Sequence, residues 1–137
     1  MRHAESYNEA RALVRQLTAG LGLATLAFGV GPLLAPGIFA RVFGFKAPDA
    51  ATASMMRSLG VRDVVMGMGM YSAAAHGGNF APWLLARTLT DGGDTAAVAL
   101  AAARGERHPR FLALGGLALG AALTDATLYL LARRLHR

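Results

Sequence analysis

The chain has no cysteine, so a disulfide framework, thiolate chemistry and a cysteine-based metal site are all excluded. Lysine is nearly absent too: one lysine stands against thirteen arginines, and with abundant alanine and glycine this suggests a GC-rich bacterial genome. Aromatic residues are few, at 7%, and no aromatic–basic platform of the kind that binds nucleic acid is present. The net charge of +6 instead brackets apolar segments, which points to anionic lipid headgroups as the partner and away from nucleic acid. Charge is also missing over long runs. No charged residue occurs in the 25 positions from Gln16 to Ala40, and only one occurs in the 22 from Phe111 to Ala132. A membrane span needs about 20 mostly apolar residues.

What is present is 54% hydrophobic residues arranged as four such blocks in a chain of 137, too short for a second core. The pattern predicts an all-α, integral membrane four-helix bundle over residues 1–137, with helices over about 12–34, 50–75, 80–103 and 110–135. The first ten residues read as a polar interfacial lead-in. Pro32 and Pro36 mark the end of the first helix, and a short connection through Phe43 and Gly44 carries Arg41 and Lys46. Pro48-Asp49 is a helix-start signal, with Pro at an early position and an acid near the positive end of the helix dipole. His76-Gly77-Gly78-Asn79 and Gly105 to Pro109 are turns, with Asn79 the expected cap of the third helix. The first apolar block is too long for a signal-peptide core and leads into Pro-Leu-Leu-Ala-Pro-Gly, not a small-residue cleavage site. Four spans put both termini on one side, with Arg2, Arg11, Arg15, Arg133, Arg134 and Arg137. The other side carries Arg41, Lys46, Arg104, Arg107 and Arg110. Six against five favours termini in the cytoplasm of a multi-pass inner-membrane protein by a single residue, with dual topology as the alternative. Gly116-Leu-Ala-Leu-Gly120 is a GxxxG motif, read here as packing inside the bundle, with dimerisation as the other use.

Seven ionisable residues lie within these apolar blocks: Arg57, Arg62, Asp63, Arg87, Asp91, Asp94 and Asp125. At roughly 2.5–3.5 kcal/mol each on insertion scales, seven unpaired groups would total about 20 kcal/mol, so they must meet one another inside the protein. Counting from the turns shows that they can. Arg62 and Asp63 lie about as far before Gly77-Gly78 as Asp91 and Asp94 lie after it, and at about 1.5 Å per residue the four fall at similar depth. Asp125 falls level with Arg87 by the same count from Glu106. Arg87, Asp91 and Asp94 share one helix face at i, i+4 and i+7. Arg57, nearest its helix start, can snorkel out of the layer.

Three positive against four negative groups leave a carboxyl that can hold a proton, as a general acid or proton carrier needs. Gly92-Gly93 between two of the aspartates loosens the helix beside them. Asp91 and Asp94 at i and i+3 have the spacing that shares Mg²⁺ with a diphosphate, but three arginines repel a divalent ion and no fuller ligand set is visible. No metal and no cofactor is assigned. His3, His76, His108 and His136 fall at ends and turns and read as interfacial. Tyr71, Tyr129, Thr88, Thr90, Thr95 and Thr124 can extend a polar pocket, although threonines in helices also satisfy their own backbone carbonyls.

Gly22-Leu23 through Leu34-Ala35-Pro36, Phe43-Gly44-Phe45, Arg57-Ser-Leu-Gly60-Val-Arg62-Asp63 and Arg87-Thr-Leu-Thr-Asp91-Gly-Gly-Asp94 resemble the DUF4267 family of small four-helix membrane proteins of unknown function. The resemblance covers nearly the whole chain. It implies a four-span bundle and supplies no activity. A looser likeness to DoxX-like proteins is architectural only.

The leading expectation is a pocket that binds a small lipophilic molecule from the bilayer and, if it is an enzyme, transforms it by acid–base chemistry. Asp63, Asp91 and Asp94 are the catalytic candidates, and Arg57, Arg62, Arg87, Asp125 and Tyr129 the binding candidates. The alternatives are a proton-coupled small-molecule transporter, assembled as a homo-oligomer because four helices enclose little, and a non-catalytic accessory subunit. In the last, the ion pairs only fix helix register.

Overall fold

The polar lead-in expected before the first span is itself helical. In the computed structural model, which describes residues 2–45 and 49–135, α1 runs over Arg2–Leu34 without a break. Its opening Ala, Glu, Asn and Arg residues propagate a helix readily enough, with Glu5 in the first turn complementing the dipole. Five helices occur among the described residues, and no strand. After α1 come α2 (Pro36–Val42), α3 (Ala50–Ala75), α4 (Ala81–Ala103) and α5 (Pro109–Arg134). This corrects the four-helix expectation. The stretch read as a turn folds into α2, because Pro36 is preorganised for a first helical turn. The readings of Lys46, Pro48, His136 and Arg137 fall outside the described residues.

The other boundaries follow local chemistry. Asp49 caps α3, its side chain accepting from Thr52 N at 2.8 Å and from the Thr52 hydroxyl at 2.7 Å. The Asp49 carboxyl is held below the usual carboxylate range, first by the Thr52 backbone bond and then by the hydroxyl. Phe80, not the expected Asn79, takes the N-cap position of α4 and makes no side-chain cap bond; Asn79, one residue before it, accepts from Ala81 N at 3.1 Å. Gly105, at φ +107°, ends α4 in a backbone conformation that other residues rarely adopt, and Glu106 N reaches back to Ala101 O at 3.0 Å.

Two helix pairs make the framework: α1 lies antiparallel along α3, and α4 along α5. Glycines set the first pair. A Cβ on Gly67 would lie 2.4 Å from Leu26 N and 2.5 Å from Gly22 O, and one on Gly60 would lie 2.6 Å from Gly29 O. Gly22 and Gly29 on α1 thus face Gly67 and Gly60 on α3, each pair one heptad apart, and the backbones touch. The Gly116/Gly120 motif does not serve this purpose. A Cβ on either glycine meets nothing within 4 Å, so the motif faces outward, and the expectation of packing inside the bundle is overturned.

The termini end is closed by a core of Val14, Met70, Ala74, Phe80, Leu84, Leu128 and Ala132. Tyr7 OH donates to Leu135 O, and Arg15 Nη2 donates to Ala75 O at 3.0 Å, tying α1 to the ends of α5 and α3. At the opposite end α2 folds over α1, with Phe39 and Phe43 against Phe28 at centroid distances of 6.3 Å. Two helices, α1 over Glu5–Leu34 and α5 over Pro109–Arg134, are long and apolar enough to cross a membrane. By contrast α3 and α4 carry their charges near the middle of their length.

Candidate functional site

Between the α1–α3 pair and the α4–α5 pair the helices stand apart, and charged side chains bridge the gap. Arg62 on α3 reaches across to Asp94 on α4 with a two-point fork, Nη1 to Oδ1 at 3.1 Å and Nη2 to Oδ2 at 2.8 Å. Its Nε donates to Asp63 Oδ1 at 3.0 Å, so one guanidinium is held between two carboxylates. The second set repeats that plan. Arg87 Nε lies 3.2 Å from Asp91 Oδ2, one turn away on α4, and 2.8 Å from Asp125 Oδ2 on α5.

The two sets differ in depth. Asp94 is 39% exposed at its side chain, whereas Asp125 is 1% exposed. Although Asp125 sits at ion-pair distance from Arg87, neither of its oxygens is in hydrogen-bonding geometry, and Arg87 Nη1 lacks an acceptor as well. Buried polar atoms without partners are expensive, so the inner set is deeper yet incompletely satisfied. Room for Asp63 comes from α1: a Cβ on Gly29 would lie 2.9 Å from Asp63 Cβ.

Two cavities have the whole outer set, Arg62, Asp63 and Asp94, in their walls. The larger, about 860 Å³, runs toward α2 and the α4–α5 turn, and is walled by Phe28, Phe43, Phe45, Phe111, Leu59 and Val98. Arg62, Asp63 and Asp94 line it, as do Glu106 and His108. Met55, 59% exposed, also lines it, so the chamber reaches the molecular surface there. The smaller cavity, about 250 Å³, lies toward Thr25, Arg87, Thr90 and Asp91. Arg62, Asp63 and Asp94 belong to both, so the Arg62–Asp94 bridge forms part of the boundary between them.

Of the eight residues singled out in the sequence, six meet in this layer. Arg57 is exposed on α3 and forms no ion pair among the described residues. Tyr129 packs against the closed core and lies within 3.5 Å of Arg133 Nη1, away from both cavities. The threonines mostly turn back to their own helices: Thr88 to Leu84 O, Thr95 to Asp91 O and Thr124 to Gly120 O. Among the described residues no group of three histidine, aspartate or glutamate side chains is arranged to hold a metal ion. The aromatic chamber was not foreseen. Its signal was there, since Phe28 near the end of α1, Phe43 and Phe45 just after α2, and Phe111 near the start of α5 all fall at the end of the bundle opposite the termini.

This geometry accompanies the sequence relationship. The profile described as Domain of unknown function (DUF4267) matches residues 22–131. The chain belongs to the DUF4267 family. That span includes every residue of the Asp/Arg layer and both glycine pairs of the α1–α3 seam. Neither the curated proteins nor the solved structures returned a match.

Proposed function

We propose that this DUF4267 protein is an integral membrane protein whose chamber receives a small lipophilic molecule from the bilayer. The membrane reading is supported by what covers the helices. Only 28% of the apolar window of α1 and 22% of that of α5 is buried, less than the core helix of a soluble protein would show. Leu23, Leu34, Ile38, Leu89, Leu117 and Leu123 face outward on four different helices. Helices apolar on all sides without being buried by protein suit lipid as the solvent. The basic residues at both ends suit headgroups, and the cell inner membrane is the proposed location.

One observation carries the ligand reading: an 860 Å³ chamber with aromatic and aliphatic walls ends on the Arg62–Asp63–Asp94 cluster. A mostly apolar cavity with a few convergent polar groups is the usual form of a small-molecule site. The walls would hold the body of the ligand and the cluster would orient its polar end. Asp63 and Asp94 are placed to exchange a proton with a group bound there, and Asp91 lies behind the bridge. Should the ligand be transformed, acid–base chemistry is what these side chains offer. The test is extraction into polymer nanodiscs followed by mass spectrometry of the bound small molecules. Wild type should carry a lipophile that Ala101→Trp, which puts an indole into the chamber, loses at unchanged melting temperature. Identical extracts would contradict the reading.

A second reading, proton-coupled movement of a small molecule, is favoured by the two cavities sharing the Arg62–Asp94 boundary. It requires that bridge to open, and predicts flux in proteoliposomes that depends on a pH gradient.

A further inference from the structure

Resting on the reading of the chamber as a lipophile site, we propose that its ligand is a lipophilic cation: an amine or onium group on an apolar body. The chamber is lined by three carboxylates, Asp63, Asp94 and Glu106, against one guanidinium, Arg62. Three of the five N–H groups of Arg62 are engaged, two in the fork to Asp94 and Nε on Asp63, and its single charge faces both carboxylates, so it has little left to offer an anionic ligand. His108 Nδ1 is taken up as an acceptor for Arg110 N at 3.3 Å. Among the described residues none of the arginines at that end, Arg41, Arg104, Arg107 or Arg110, lines the chamber.

The walls point the same way. Phe28 and Phe43 stack at 6.3 Å, and Phe45 meets Phe111 edge-on at 6.4 Å. Ring faces carry the negative side of the aromatic quadrupole and attract cations, more strongly when water is excluded. An apolar chamber alone would take any lipophile of the right size. Excess carboxylate and aromatic faces together select the sign of its charge.

The test uses full-length protein in phosphatidylcholine nanodiscs and three probes of one shape: tetraphenylphosphonium, the anion tetraphenylborate and neutral tetraphenylsilane. Equilibrium dialysis is corrected by empty nanodiscs. The phosphonium should bind about tenfold tighter than the borate, a ratio within reach of one desolvated cation–π contact. Asp63→Asn/Asp94→Asn, which leaves Arg62 without its carboxylates, should abolish or reverse that preference. Glu106→Gln, on the exposed α4–α5 turn, should reduce phosphonium affinity several-fold and serves where the double variant fails to assemble. Borate binding as tight as phosphonium would overturn the cation inference and leave the lipophile reading standing, as would retention of the silane alone. No probe retained above empty nanodiscs would overturn both.

Discussion

Arg62 and Asp94 make the two-point bridge that links the α3 side of the protein to the α4 side, at 3.1 and 2.8 Å. Its counterpart, Arg87 with Asp125, lies deeper and joins α4 to α5 at 2.8 Å. The outer bridge borders the large chamber, whereas the inner one meets only the smaller cavity and ends on the fully buried Asp125, so the two should answer mutation differently.

Arg87→Ala strands Asp91 and the fully buried Asp125, and unfolding or a loss of roughly 3–5 kcal/mol is expected. Arg62→Ala strands carboxylates that border a cavity and should lower stability less. Arg62→Lys keeps the charge but loses the fork, and should fall between Arg62→Ala and wild type. Thermal melts in one detergent check the order. Equal melting temperatures for Arg62→Ala and Arg87→Ala would contradict it.

The glycine seam gives a sharper contrast. Gly67→Ala and Gly60→Ala push a methyl group into backbone 2.4–2.7 Å away and should each cost about 1–3 kcal/mol. Gly116→Ala and Gly120→Ala meet open space and should leave the melting temperature unchanged or slightly raised. A seam variant as stable as wild type would mean that α1 and α3 do not touch there.

Asp49 supplies a pH dependence. Its folded-state pKa lies below the unfolded value, so the cap stabilises fully above the ordinary carboxylate range and is lost as pH falls through the folded value. Wild type should therefore exceed Asp49→Ala in stability at neutral pH, with the gap closing below about pH 4. A gap independent of pH would show that the carboxylate charge has no part in the cap.

Arg57 and Tyr129 stand outside the cavities. Arg57→Gln and Tyr129→Phe should change probe binding by no more than about twofold, the usual range for substitutions away from a site. A larger loss in either variant would restore it to the binding set.

Much of this was legible before any coordinates. Counting from Gly77-Gly78 placed Arg62 level with Asp94, and counting from Glu106 placed Asp125 level with Arg87, because helical rise is fixed and the turns are short. The seven charges read as one layer, with Arg57 the member able to leave it. The α2 helix was less visible: seven residues between prolines carry too little periodicity to be told from a turn. Nor could the sequence tell which glycines pack. Gly116 and Gly120 have the familiar spacing, yet the contact is made by Gly22, Gly29, Gly60 and Gly67 at heptad spacing on two helices far apart in sequence. The chamber was hidden for the same reason, since its walls come from four helices, α1, α3, α4 and α5, and from the segments that follow α2 and α4.

The most direct test of the central claim is photolabelling with a membrane-partitioned diazirine in native membranes, with adducts located by peptide mass spectrometry. The account predicts adducts on the chamber residues Leu59, Val98 and Phe111, diminished in Ala101→Trp, in addition to those on outward residues such as Leu89 and Leu123. Labelling confined to the outward residues, and identical in the two proteins, would show that the Asp/Arg layer is packed shut and contradict it.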